Sequence, residues 1–124
     1  MNPQDVFFSQ DSCSPGGQGY TVNDNIQALQ NGSLTPDDLP PIKVFQKDAA
    51  MDSWGSLTRY GYSGDPANLV NGRWYTLDNR RLLAFLEAGV EDIPVIDVSN
   101  NEDLIRSQRW KFSTTNGGED ILCE

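Results

Sequence analysis

The chain has 124 residues, enough for one domain with a single modest core that needs no staple. It is 37% hydrophobic and 22% charged, with 18 acidic against 9 basic residues and a net charge of −9. No His occurs, which excludes His general bases, His-containing zinc sites and His-based triads. The charge also argues against nonspecific nucleic-acid binding over the whole surface, because phosphate neutralisation drives such binding. It leaves room for a small basic pocket in an acidic shell, and for a basic protein partner such as an inhibitor or chaperone. No apolar run approaches the roughly 20 residues needed to span a bilayer.

In chain order, Val6-Phe7-Phe8 is the first strand candidate. Gln10 to Gly19 is rich in turn formers and reads as a loop. Thr21 and Asp24 have the spacing of a capping box, and Val22, Ile26 and Leu29 give the following helix a thin apolar stripe. Gly32 stops it. Thr35-Pro36 repeats the start signal, but Pro40-Pro41 limits the result to about one turn. Ile42 to Phe45 reads as a strand. Residues 48–71 hold no period and read as a long structured loop or insertion, a length that is often functional.

Asn71-Gly72 has hairpin-turn chemistry, and Arg73 to Leu77 follows as a strand. Asp78 is placed to cap a helix from Asn79 to Ala88, with Leu82, Leu83, Phe85 and Leu86 on its apolar face and Gly89 at its end. Ile93 to Val98 predicts another strand, and Asn101 opens a short helix to about Ser107. Trp110 to Ser113 and Ile121 to Cys123 read as two final strands, with Asn116-Gly117-Gly118 in the turn between them. Cys13 and Cys123 are the only cysteines and lie near the two ends. One disulfide and two separate thiols both remain open. A nucleophilic Cys13 is a weak candidate because it has no His partner.

Three clusters carry candidate chemistry. The first is the helix start at Asp78, Asn79, Arg80 and Arg81. Unpaired helical N–H groups there favour an anion, whereas two arginines oppose the helix dipole and call for an anionic partner. Arg presents a rigid fork of donors to phosphate or carboxylate. The plain alternative is a solvent-facing or ion-paired couple. The second cluster is Ser9, Gln10, Asp11 and Ser12, whose mixed donors suit a metal or a positioned water, and equally a turn. The third is Ser113, Thr114, Thr115 and Asn116, with donors for a phosphate or for a turn.

The run from Gly72 to Val90, followed by Asp92 to Ile96, resembles the ParB/sulfiredoxin-like family, most closely the ParB-like domains of bacterial polymorphic toxins. Phe8 to Ser12, Leu39 to Val44 and Trp110 to Gly117 fit the same subgroup, so the likeness covers most of residues 1–124, with 48–71 as an insertion. It implies a small α+β domain with a mixed sheet and short helices. Arg80 and Arg81 match the two arginines of the family's Gly-Glu-Arg-Arg phosphate box, while Asp78 and Asn79 stand where Gly-Glu would be. In sulfiredoxins the catalytic Cys and the His of the same helix start fall at Asn79 and Arg80 here, so sulfinic-acid reduction is not implied.

The expected function is then phosphate-directed hydrolysis by a nuclease-type toxin domain, delivered or secreted as part of a larger system. Arg80 and Arg81 hold the phosphate in that reading. Asp11 and Asp78 bind Mg2+ or Mn2+ or orient water, and Gln10, Ser12, Asn79, Thr114, Thr115 and Asn116 bind the substrate. The alternatives are nucleotide binding with phosphoryl transfer, and a non-catalytic interaction domain that binds a basic immunity or chaperone protein through aromatics near Trp54, Tyr60 and Tyr62.

Overall fold

A computed structural model describes residues 1–13 and 21–123. Its elements are β1 (Val6–Phe8), β2 (Ser12–Cys13), α1 (Val22–Asn31), β3 (Ile42–Gln46), β4 (Leu57–Arg59), β5 (Tyr62–Gly64), β6 (Trp74–Thr76), α2 (Asn79–Glu87), β7 (Val95–Asp97), α3 (Glu102–Ser107) and β8 (Leu122–Cys123). Short 3-10 turns separate several of them. The result is a small α+β fold around a mixed sheet of order β1-β6-β3-β7. β1 runs parallel to β6, β6 antiparallel to β3, and β3 parallel to β7.

Strand side chains alternate between the two sheet faces, and both faces here are covered. Val6, Phe8, Ile42 and Val44 meet Leu82 and Phe85 of α2 on one face. Phe45 and Tyr75 meet Met51, Leu69, Ile105 and Phe112 on the other. α1 packs against α2. Its capping box forms as expected: the Thr21 side chain accepts from the Asp24 N–H at 3.1 Å and Asp24 accepts from the Thr21 N–H at 3.1 Å. Gly32 ends the helix at φ 81°, and Pro36–Asp38 makes the single expected turn.

The 48–71 segment is more structured than its sequence implies. It contains a 3-10 helix (Ala49–Trp54), the β4–β5 hairpin and a further turn (Pro66–Asn68), and it places Met51 and Leu69 in the core. Buried Lys47 anchors it, its Nζ donating to Asp52 at 2.7 Å and Asn71 at 2.8 Å. The hairpin turn falls at Tyr60-Gly61, both at positive φ, rather than at Asn71-Gly72. The latter forms a turn that brings β6 back beside β3, with Gly72 N–H donating to Lys47 O at 2.9 Å.

Two further expectations need correction. Trp110 to Ser113 is not a strand. Arg109–Lys111 is a 3-10 turn whose backbone packs against β5 instead of joining a strand ladder. The apolar pair Trp110 and Phe112 mimics strand alternation, but only Phe112 points into the core. The loop expected at Gln10 to Gly19 begins with β2, which pairs parallel with β8. The rest of that loop lies outside the described residues. Cys13 and Cys123 are register partners in this pair and form a disulfide.

Candidate functional site

β6 runs directly into α2, and β1, parallel to β6, ends at the same edge of the sheet. Ligands of α/β units favour this edge, beyond the C-terminal ends of strands. A cavity of about 290 Å³ opens there. Leu77, Asp78, Asn79, Arg80 and Arg81 line it from the β6–α2 junction, and Gln10 and Cys13 from the segment after β1. Tyr62 of β5 and the pair Trp110 and Lys111 complete the lining.

The start of α2 is held by side chains acting as struts. Asn79 is buried; its Oδ1 accepts from the Ser9 N–H at 2.8 Å, and its Nδ2 donates to Ser9 Oγ at 3.0 Å and Gln10 Oε1 at 3.1 Å. Ser9 Oγ in turn donates to Thr76 O at 2.7 Å. This network ties the end of β1 to the end of β6. Asn79 and Gln10 therefore shape the cavity.

Asp78 does not cap α2 through its side chain. Its Oδ2 accepts instead from the Lys43 N–H at 2.7 Å. The physical reason is the sheet: β3 and β6 stop pairing here, and the carboxylate satisfies a strand N–H beyond the ladder. Asp78 also lies 3.9 Å from Arg81 Nη1, and Arg81 Nη1 donates to Pro41 O at 3.4 Å. Arg81 is thus half-buried and oriented, whereas Arg80 is exposed.

Lys111 brings a third cation. Its Nζ donates to Leu77 O at 2.9 Å, at the β6–α2 junction. Burial holds the Lys111 ammonium below the ordinary lysine pKa; Asp78 raises it, while Lys43 and Arg80 lower it further. Among the described residues, three of the chain's nine basic residues and one acidic residue, Asp78, line this cavity. The acidic excess of the whole chain is thus inverted in this cavity.

The other predicted residues lie elsewhere. Asp11, Thr115 and Asn116 line a separate depression of about 190 Å³, together with Asp120. Asp11 accepts from Ser113 Oγ at 2.9 Å and from Ser12 Oγ at 3.4 Å. Thr114 is buried and, with Asn116, accepts from the Gly118 N–H, so both build their own loop. Asp11 and Asp78 are therefore not brought into one cavity. Among the described residues no cluster of three or more Cys, Asp and Glu forms a metal-binding group. A divalent ion in this cavity would find one carboxylate among the described residues, that of Asp78.

Sequence reasoning missed Lys111, Trp110 and Tyr62 as members of this site. A signal was present: Arg109-Trp110-Lys111 and Arg59-Tyr60-Gly61-Tyr62 interleave basic and aromatic residues. Nothing in the sequence says that these two segments meet. In the fold they do, with Trp110 5.2 Å from the Tyr60 ring and 5.8 Å from that of Tyr62.

No family model, curated protein or solved structure gives a significant match to the chain. Its class is defined by its own geometry: a small α+β domain with a cation-lined cavity at the β6–α2 junction.

Proposed function

We propose that the chain is a phosphate-directed domain of ParB/sulfiredoxin-like type, acting as a nuclease-type hydrolase in a bacterial toxin. The observation that carries this reading is the gathering of Arg80, Arg81 and Lys111 around one cavity in a chain of net charge −9. Fixed cations in a partly enclosed site bind phosphate and offset the charge that develops on its oxygens during attack. Arg81, already oriented by Pro41 and Asp78, grips the phosphate; Arg80 and Lys111 complete the clamp. Among the described residues Asp78 is the one carboxylate lining the cavity, and in this reading it orients an attacking water. A disulfide near the chain ends suits a protein that passes through an oxidising compartment.

The test is expression in a bacterial host of wild type beside the Arg80→Ala/Arg81→Ala double variant, with nucleic-acid integrity followed over time. Growth arrest and degraded nucleic acid with wild type, both lost in the double variant, are the expected result. Equal degradation by the two proteins would overturn the assignment. The separation of Asp11 from Asp78 favours a second reading, nucleotide binding with phosphoryl transfer, which needs the cations but no pair of metal-binding carboxylates. Tight nucleotide binding by purified protein, with intact nucleic acid in the cells, would select it.

A further inference from the structure

The cations account for only part of the cavity lining. Trp110 and Tyr62 supply an aromatic part, and Tyr60 extends it outward. Tyr60 is 77% exposed and packs its edge on Trp110 with the ring planes at 75°. It also sits at φ 55°, a left-handed conformation that is costly for a bulky residue. A two-residue hairpin turn with both φ positive favours Asn-Gly. This chain places Tyr before Gly61 instead, and the exposed ring covers little core. Strain kept at an exposed aromatic needs a compensating role.

The aromatic cluster is also rigidly mounted. A Cβ on Gly64 would collide with the Arg109 carbonyl and come within 2.5 Å of the Phe112 nitrogen, so β5 lies directly against the 109–111 turn. Asp65 N–H donates to Phe112 O at 3.0 Å, and Arg109 Nε donates to Gly55 O at 3.1 Å. Hairpin and turn hold Trp110 and Tyr62 in place before any ligand arrives. Lys111, next to Trp110 in sequence, reaches the phosphate side of the same cavity.

We infer that Trp110, Tyr62 and Tyr60 form a stacking platform for an unpaired nucleobase whose phosphate lies on Arg80, Arg81 and Lys111. The ligand class is thus a nucleoside phosphate with a free base face, either a mononucleotide or a unit of a single strand. Aromatic stacking tolerates every base, and cations beside it follow the backbone. A duplex buries its base faces and cannot use such a platform without extruding a nucleotide. This inference rests on the proposed phosphate site.

The experiment titrates the full chain calorimetrically with four probes: pyrophosphate, a nucleoside triphosphate, a single-stranded hexanucleotide, and the matching duplex. The informative variant is Tyr60→Asn, which relieves the turn and is expected to fold about as stably as wild type, as thermal unfolding would check. Tyr60→Asn and Trp110→Ala are each expected to weaken the two base-exposing probes about tenfold and to leave pyrophosphate unchanged. Duplex is expected to bind more weakly than single strand. The inference is overturned if both variants bind the base-exposing probes as wild type does, or if the duplex competes equally. Loss of the phosphate site reads differently: pyrophosphate then fails to bind wild type, or binds the Arg80→Ala/Arg81→Ala protein just as well, and both readings fall together.

Discussion

Lys111 is the residue whose titration reports most directly on the site. Burial keeps its pKa below the ordinary 10.5, with Lys43 and Arg80 adding to the depression and Asp78 opposing it. An anion in the cavity favours the charged ammonium. Affinity for pyrophosphate should therefore be full below the lowered pKa and fall as pH rises through it, earlier than an unperturbed lysine would allow. Lys111→Arg should remove this fall up to the ordinary lysine range, because guanidinium stays charged. Calorimetric titrations from about pH 7 upward check both curves. Stability of the ligand-free protein has the opposite slope. The folded state binds fewer protons than the unfolded one in this window, so Lys111 makes stability rise with pH there.

Asn79 offers a second test at the same scale. Asn79→Ala leaves the Ser9 N–H buried and loses the link to Gln10, which should cost about 1–3 kcal/mol in urea unfolding. The sequence reading expects Asn79 to bind substrate. In the structure its side chain is consumed by Ser9 and Gln10, a pairing with residues some seventy positions away that no local pattern announces.

Among the elements, those set by local rules were legible. The Thr21–Asp24 box, Gly32, the one-turn stop before Pro40 and the strand–helix step at β6–α2 all follow from neighbours a few residues apart. The β4–β5 hairpin and the 109–111 turn were not legible. Strands β4 and β5 are short and only partly buried, so they carry no clear alternating burial pattern, and they hold their place by pairing with each other and packing on the 109–111 turn. Gly64→Ala tests that packing. Its Cβ has no room against the backbone of Arg109 to Phe112, so the substitution should destabilise the fold by about 1–3 kcal/mol. It should also displace Tyr62 from the cavity and weaken nucleotide binding more than pyrophosphate binding, as measured by the same calorimetry.

At the scale of the whole molecule, the disulfide joins positions 110 residues apart and closes nearly the entire chain. Constraining so long a loop in the unfolded state is worth about 2–5 kcal/mol. Thermal unfolding with and without reductant should show a clear loss of stability on reduction, and Cys13→Ser should reproduce it without reductant. No described helix is long and apolar enough to cross a membrane. The net charge of −9 is distributed so that the cation-lined cavity interrupts an otherwise acidic chain. The global charge argued against a nucleic-acid ligand; the local charge is what a phosphate meets, since screening confines surface fields to about 10 Å at ordinary salt.

The sequence by itself determined the mix of strands and helices, the helix at Asn79 and the placing of Arg80 and Arg81 in its first turn, because caps, glycine stops and apolar periodicity act over a few residues. Only the tertiary structure decided what surrounds those arginines. It brought Lys111, Trp110 and Tyr62 beside them, sent Asp11 to another depression and turned Asp78 toward Lys43. Those outcomes depend on which strand lies next to which, and sheet order is set by contacts between distant segments.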